Sequence, residues 1–305
     1  DAFYSTFDKE NFARGFRVML DPTQSVIANP IYDGNAIIGG NFNRTKASSP
    51  HVEIVNDDNT EHDQIGSFGI NADWQITDRL SATFDVSHSN AKSDFRNGLL
   101  WALVAEDAHA EAPVLDKNVS ISYLLNGSDL PDVGFNQAAA FSDIDSVLLS
   151  KYGIYPYQNE DELSAVRLDL QYELEDNSFI SSVEIGSRYS DRTYSSNRSM
   201  FEYGDGGSFS SVETPLVLTE DMVDIVSFEG EFAHFPDYLS IDLDSALNAW
   251  FPDGIPQPVQ TWGDTAPGVI NGAATGNNSE WTMLQSGEVY EKIFSAYMMA
   301  NINTE

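Results

Sequence analysis

The sequence predicts an all-β chain, a segment of an antiparallel transmembrane β-barrel with short periplasmic turns and long extracellular loops that contain short helices. The first observation is alternation. Phe68, Ile70, Ala72, Trp74 and Ile76 fall on one side of a period-two run, and Gly69, Asn71, Asp73 and Gln75 on the other. After Thr77-Asp78-Arg79, a second run sets Leu80, Ala82, Phe84 and Val86 against Ser81, Thr83, Asp85 and Ser87. The second observation is length, because each run matches the roughly 9–11 residues that a tilted strand needs to cross a bilayer. The third is asymmetry. Hairpin turns at Thr77–Arg79 and Glu175–Ser178 contrast with excursions over about 90–163 and 195–285 on the other side, as in outer-membrane barrels. On pattern alone the chain also fits a soluble β-rich protein, whose polar face would be its outside.

Composition narrows the classes. Fifteen basic and forty-eight acidic residues give a formal charge of -33 over 305 residues, which excludes a nucleic-acid partner held by phosphate contacts. The acidity is dispersed and reads as a surface facing a salty medium. The absence of cysteine removes disulfides, thiolate metal sites and cysteine nucleophiles. Apolar runs fall well short of the about 20 residues of a membrane helix, so any membrane crossing is by strands of a closed barrel. Asp1 begins in mid-texture without a signal peptide, and the chain reads as a piece.

Taken in order, residues 1–64 are poorly periodic, with Phe12, Phe16, Val18 and Leu20 as a possible strand and a long loop punctuated by Pro30, Gly39 and Pro50. Asn56-Asp57-Asp58-Asn59 lacks the glycine and closing glutamate of a calcium loop and reads as a solvated turn. Within the first excursion, Val119, Ile121 and Tyr123 suggest a strand before Asn126-Gly127. A helix is expected from Ser142 as N-cap to Gly153 as stop, with Ile144, Val147, Leu148 and Tyr152 as its stripe. A second hairpin sets Val166, Leu168, Leu170, Tyr172 and Leu174 against Arg167, Asp169, Gln171 and Glu173, and returns through Val183, Ile185 and Tyr189. The second excursion holds a short amphipathic helix over 241–251, with Leu243, Leu247 and Trp250 on one side. A last strand from about Glu288 to Ile302 presents Phe294, Ala296, Met298, Ala300 and Ile302 together.

Several of these stretches carry a family likeness: Ile70-Asn71-Ala72-Asp73-Trp74, Thr77-Asp78-Arg79-Leu80, Asp85-Val86-Ser87-His88-Ser89, Ile185-Gly186-Ser187-Arg188-Tyr189-Ser190-Asp191-Arg192, and Glu291-Lys292 with Ala296-Tyr297. In that order and spacing they resemble the barrel of TonB-dependent receptors, in the proteobacterial branch linked to uptake of carbohydrates. The likeness covers about a third of the chain. It implies a Gram-negative outer-membrane barrel of about 22 strands with a plugged lumen, partnered by outer-membrane lipid, by an extracellular ligand, and by TonB through an N-terminal plug. No plug or TonB-contacting segment is visible, so residues 1–305 read as a partial barrel domain. The implied function is ligand-gated nutrient uptake, of an oligosaccharide or else of a siderophore or other chelate. A soluble glycan-binding or adhesin module is the reading from another class.

No enzymatic motif is present: there is no phosphate-binding glycine loop, no Gly-x-Ser-x-Gly elbow and no His-Glu-x-x-His pair. The five histidines are scattered, and neither a cofactor nor a metal is expected. Recognition by aromatics in the outer loops is the expected chemistry, since an aromatic face stacks on a sugar ring while neighbouring polar groups take its hydroxyls. Trp262 and Trp281 lie among Gly, Asp and Asn, and Trp101 lies near Arg96 in sequence, so these four residues are the substrate-binding candidates. Trp250 and Phe251 suit the core of their own helix, and Trp74 suits an aromatic belt at the headgroups. Arg167, Arg188 and Arg192 face the polar side, where pairing with Asp169 or Glu184 is expected.

Overall fold

The computed structural model describes residues 1–19, 27–44, 51–116, 118–174, 179–204, 209, 215–258, 260 and 280–302, with backbone only at 280 and 281. The strands are β1 (Ala2–Met19), β2 (Ile27–Asp33), β3 (Ala36–Asn43), β4 (His51–Gln75), β5 (Leu80–Val104), β6 (Ser120–Leu124), β7 (Asp132–Phe135), β8 (Val147–Glu173), β9 (Ile180–Arg198), β10 (Phe201–Gly204), β11 (Leu216–Val217), β12 (Val223–Val226), β13 (Tyr238–Ile241) and β14 (Gly287–Ile302). Among the described residues two α-helices, α1 (Leu243–Trp250) and α2 (Glu280–Leu284), and three short 3₁₀ turns accompany them. The protein is mostly β and its pairings are antiparallel. One large sheet runs β1-β4-β5-β8-β9-β14, with β10 and β11 on the outer end of β8, and among the described residues β1 and β14 are its edges. Small sheets β2-β3-β6-β7 and β12-β13 belong to the connections.

Both expected hairpins and the last strand are present. Thr77 closes the first turn, its side-chain oxygen accepting from the backbone N–H groups of Arg79 and Leu80. The Glu175–Ser178 turn lies outside the described residues, but Tyr172 and Val183 pair directly on either side of it. Register then aligns side chains into rows. Ile70, Val86, Val166, Tyr189 and Phe294 form one row across five strands. The next two are Ala72, Phe84, Leu168, Ser187 and Ala296, then Trp74, Ala82, Leu170, Ile185 and Met298. These rows share one face and are exposed, Trp74 at 66%, Phe294 at 72% and Met298 at 76%.

The strands are far longer than the alternation indicated. β4 and β5 each hold 25 residues and β8 holds 27, about 80 Å of chain at roughly 3.3 Å per residue. Segments read as loop are therefore strand: the outer half of β4, most of β1, and the stretches 90–104 and 147–163. Asn56–Asn59 lies inside β4 rather than in a turn. The outer halves carry Asn, Asp, Ser, His and Lys on both faces, so no alternation marks them. What holds them is the backbone ladder, continuous from Glu53↔Leu103 to Gln75↔Ser81.

The helix expected over 142–153 is absent. A 3₁₀ turn covers Ala138–Ser142, and β8 begins at Val147. The apolar residues at 147–149 are buried because β8 has cover on both faces there, and a strand so placed loses its period-two signature. A bulge opposite Trp101 and Ala102 sends Leu149 and Val147 to the same face as Tyr152 and Ile154. Those four, with Val52, Ile54, Leu100 and Ala102, floor the main core. Over it lie Phe141, β13 and α1, with Leu243, Ala246 and Leu247 buried. Helix α1 matches its expectation, with Asp242 as N-cap accepting from Ser245 N at 2.7 Å. Trp250 and Phe251 pack on Tyr203 with centroids 5.2 and 5.5 Å away. Buried Asn56 accepts a 2.8 Å bond from Ile241 N and so pegs β13 to β4. The strand expected before Asn126-Gly127 is β6. The outer lobe thus stands on the same sheet face as the apolar rows, farther along the strands.

Candidate functional site

The opposite face of the large sheet is mostly polar, with Phe3, Phe7, Ile65, Ile293 and Met299 as exposed exceptions toward its two edges, and carries three groups of side chains. Nearest the hairpin turns, Arg167, Asp169, Arg188, Glu184 and Tyr297 line a cavity of about 570 Å³. Asp169 is only 6% exposed. Arg167 Nε binds its Oδ2 at 2.5 Å, and the Tyr297 hydroxyl donates to its Oδ1 at 3.0 Å. Tyr297 also reaches Glu184. Gly186 makes this possible, because a Cβ there would collide with Asp169 and with the Tyr297 ring. Of the expected pairings, Arg167 with Asp169 is present.

Farther out, Arg192 forms a bidentate pair with Asp161, with Nε to Oδ1 at 2.8 Å and Nη2 to Oδ2 at 2.5 Å. Asp161 is the partner because it sits in register with Tyr194, two residues along the face from Arg192. The pair holds the Asp161 carboxyl below its ordinary range. Tyr194 donates to Asn159 at 3.2 Å. Two rows on, the Arg198 guanidinium lies 4.1 Å from the centre of the Tyr157 ring, and Phe95 meets Tyr157 edge-on.

Trp101 anchors the third group at the outer end. Its Nε1 donates to Asp57 at 2.9 Å, and the cations of Arg17 and Lys151 approach its ring at 4.3 and 5.0 Å. Arg17 binds Glu53 at 2.7 Å, and Lys151 binds Glu202 at 3.1 Å. Burial raises the Asp57 carboxyl above its ordinary value, and burial with the Glu202 carboxylate alongside raises the Tyr155 phenol. One aromatic ring therefore ties β1, β4, β5 and β8 at the rim.

The sequence candidates separate in space. Trp101 and Arg96 lie on opposite faces of β5, because five residues along a strand reverses the side. Arg96 instead lines a crevice with Thr60, Asp94, Pro156 and Gln158, between the apolar rows and the outer lobe. Trp262 lies outside the described residues. Trp281 belongs to α2, whose end is fastened to the polar face of β9: Ser196 Oγ donates to Gln285 O at 3.3 Å, and Arg198 N to Ser286 Oγ at 2.9 Å. Sequence reasoning passed over Tyr194, Tyr157 and Phe95, although their shared face follows from parity once the strands are known to extend that far.

No family model, curated protein or solved structure matches this chain. Among the described residues no helix is long and apolar enough to cross a membrane, which leaves strands untouched, and no cluster of three or more His, Asp or Glu could hold a metal ion.

Proposed function

We propose that this chain is a section of a TonB-dependent outer-membrane receptor, with the apolar rows facing lipid and the polar face lining a lumen through which a ligand is taken up. One observation carries the reading, the uncharged exposed band of Ile70 to Trp74 across to Phe294 to Met298. It runs from Val166 in β8 to Leu174 just past the end of that strand, about 30 Å of chain, or about 23 Å along the membrane normal at a tilt of about 40°, close to the roughly 25 Å band of outer-membrane barrels. Five strands at about 4.8 Å give a width of about 24 Å and an area of roughly 700 Å². Soluble monomers rarely expose a contiguous apolar patch of that size. The row just beyond, His88, Ser164, Asp191 and Lys292, restores charge, with Lys292 paired to Asp191 at 3.4 Å. The edges of β1 and β14 then pair with further barrel strands, as lipid requires.

The test is fractionation of the native gene product, followed by gel mobility with and without boiling. An outer-membrane protein well above 33.7 kDa whose mobility shifts on heating is expected. A soluble product of this mass would refute the receptor and leave a glycan-binding module as the reading.

A further inference from the structure

The outer lobe carries an apolar tip that the packing of the lobe leaves uncovered. In its small sheet, Ile121 packs on the main core with Phe42, Val133 and Phe135, and the far end of the sheet stands clear of that core. There Gly39 pairs with Leu124, and the Leu125 N–H donates to Ile38 O at 2.7 Å, so the β2-β3 and β6-β7 turns lie side by side. Both turns are set in advance: Gly34 and Gly127 take positive φ of 58° and 69°, and Asn126 Nδ2 donates to Leu130 O at 3.1 Å. Apolar side chains crown them all the same. Ile31, Tyr32, Ile37, Leu125 and Leu130 are exposed, Tyr32 by 60%.

Neither lipid nor lumen accounts for the tip. The lobe rests on β4 at Ile54, sixteen residues outward of Ile70, about 53 Å of strand or about 40 Å along the normal at the same tilt. It also stands on the face opposite the polar one, so the tip points away from any path through the lumen. Charge then selects the partner. Segments 27–43, 118–150 and 215–258 hold fourteen Asp and Glu and no Lys or Arg. Arg44, just past the foot of β3, lies with Asp116 and Glu106. Beside the tip, Asp129, Leu130, Asp132 and Glu231 line a cleft of about 700 Å³, where His234 donates through Nδ1 to the Glu231 carbonyl. A second copy meeting tip to tip, or an acidic partner, would be repelled. An apolar anchor flanked by lysine or arginine meets both the exposed apolar side chains and the carboxylates.

We infer that the lobe tip is a docking surface for a basic polypeptide segment, whose apolar side chain seats among Tyr32, Ile37 and Leu125 while its cations face Asp129, Asp132 and Glu231. The distance of the tip from membrane and lumen rests on the receptor reading; its exposed side chains and its charge do not.

The experiment uses the full-length native product in phosphatidylcholine nanodiscs, with heat-dependent mobility as the check that each variant is folded. Fluorescence anisotropy follows three short labelled peptides: alternating Lys and Ser around a central Trp-Leu, the same with Gly-Ser for Trp-Leu, and the first with Glu for every Lys. The first is expected to bind beyond its signal with empty discs, and added salt to weaken it. Tyr32→Ser with Ile37→Ser should weaken binding about tenfold or more, as loss of an anchor contact implies. Asp129→Asn with Asp132→Asn and Glu231→Gln should weaken it too and flatten the salt dependence. Val114→Ser, at an exposed site in another loop, should leave it unchanged, and Tyr32→Cys should react with a water-soluble maleimide in intact discs. Four results each overturn the docking surface and leave the barrel in place: no peptide bound, equal binding of either control peptide, indifference to Tyr32→Ser with Ile37→Ser, or a Tyr32→Cys thiol shielded by the rest of the native protein. A soluble product overturns the receptor, and the same titration then decides the tip by itself.

Discussion

Replacing Leu168 by arginine separates a lipid-facing band from a water-facing one. Leu168 lies in the second apolar row, between Phe84 and Ser187, and is 44% exposed. It stands one row, about 5 Å of membrane depth at the tilt above, from the middle of the Val166–Leu174 span. Arginine near the midplane of a barrel wall costs about 2–4 kcal/mol, or roughly 30- to 700-fold in the folding equilibrium at about 1.4 kcal/mol per tenfold. Ser164→Arg is the matched control. It lies on the same face four residues outward, in the row with His88 and Asp191, where the cost falls to about 0–1 kcal/mol. The assay is reversible denaturant unfolding of the full-length product in phospholipid vesicles. If the face meets water instead, a half-exposed leucine on a strand exchanges for arginine within about 0.5 kcal/mol or little more. Equal effects at positions 168 and 164 would refute the reasoning.

Three further outcomes follow from the same geometry. Gly186→Ala forces Tyr297 and Asp169 apart and should cost about 1–3 kcal/mol as an overpacked contact; unfolding of the variant measures it, and an unchanged midpoint would contradict the close approach. Asn56→Ala strands the Ile241 N–H under the outer lobe and should cost about 1–3 kcal/mol, visible as faster amide exchange in β12 and β13 while the large sheet stays protected. The Arg192–Asp161 pair lowers the folded Asp161 pKa from 3.8. Its contribution to stability is therefore complete above that value and lost only as pH falls through the lower folded value, so the cost of Asp161→Asn in denaturant unfolding should be flat from pH 7 to about 5; a decline within that window would point to another group.

The legible and illegible parts of the sequence divide along physical lines. Where one face meets an apolar medium and the other water, as from Phe68 to His88 or Phe294 to Ile302, period two is unmistakable and gave strand, face and turn. The apolar side of Leu243, Leu247 and Trp250 likewise marked α1. The outer halves of β4, β5 and β8 have water or polar partners on both faces, and their ladder of backbone bonds leaves no periodic trace in side-chain type. At Val147–Tyr152 cover on both faces, plus a bulge, mimicked a helical stripe. Trp101 is a rim staple whose ring already faces Arg17 and Lys151. The Tyr194 and Tyr157 groups went unnoticed because their face could be assigned only once β8 and β9 were seen to run so far.

The most direct test of the central proposal uses the absence of cysteine from this chain. Single cysteines at each position from Val166 to Tyr172, in the full-length product reconstituted in vesicles, are reacted with a water-soluble maleimide. If even positions face lipid and odd positions face the lumen, Arg167, Asp169 and Gln171 variants label and Val166, Leu168, Leu170 and Tyr172 variants resist until detergent is added. Labelling at the even positions in intact vesicles would contradict a lipid-facing band.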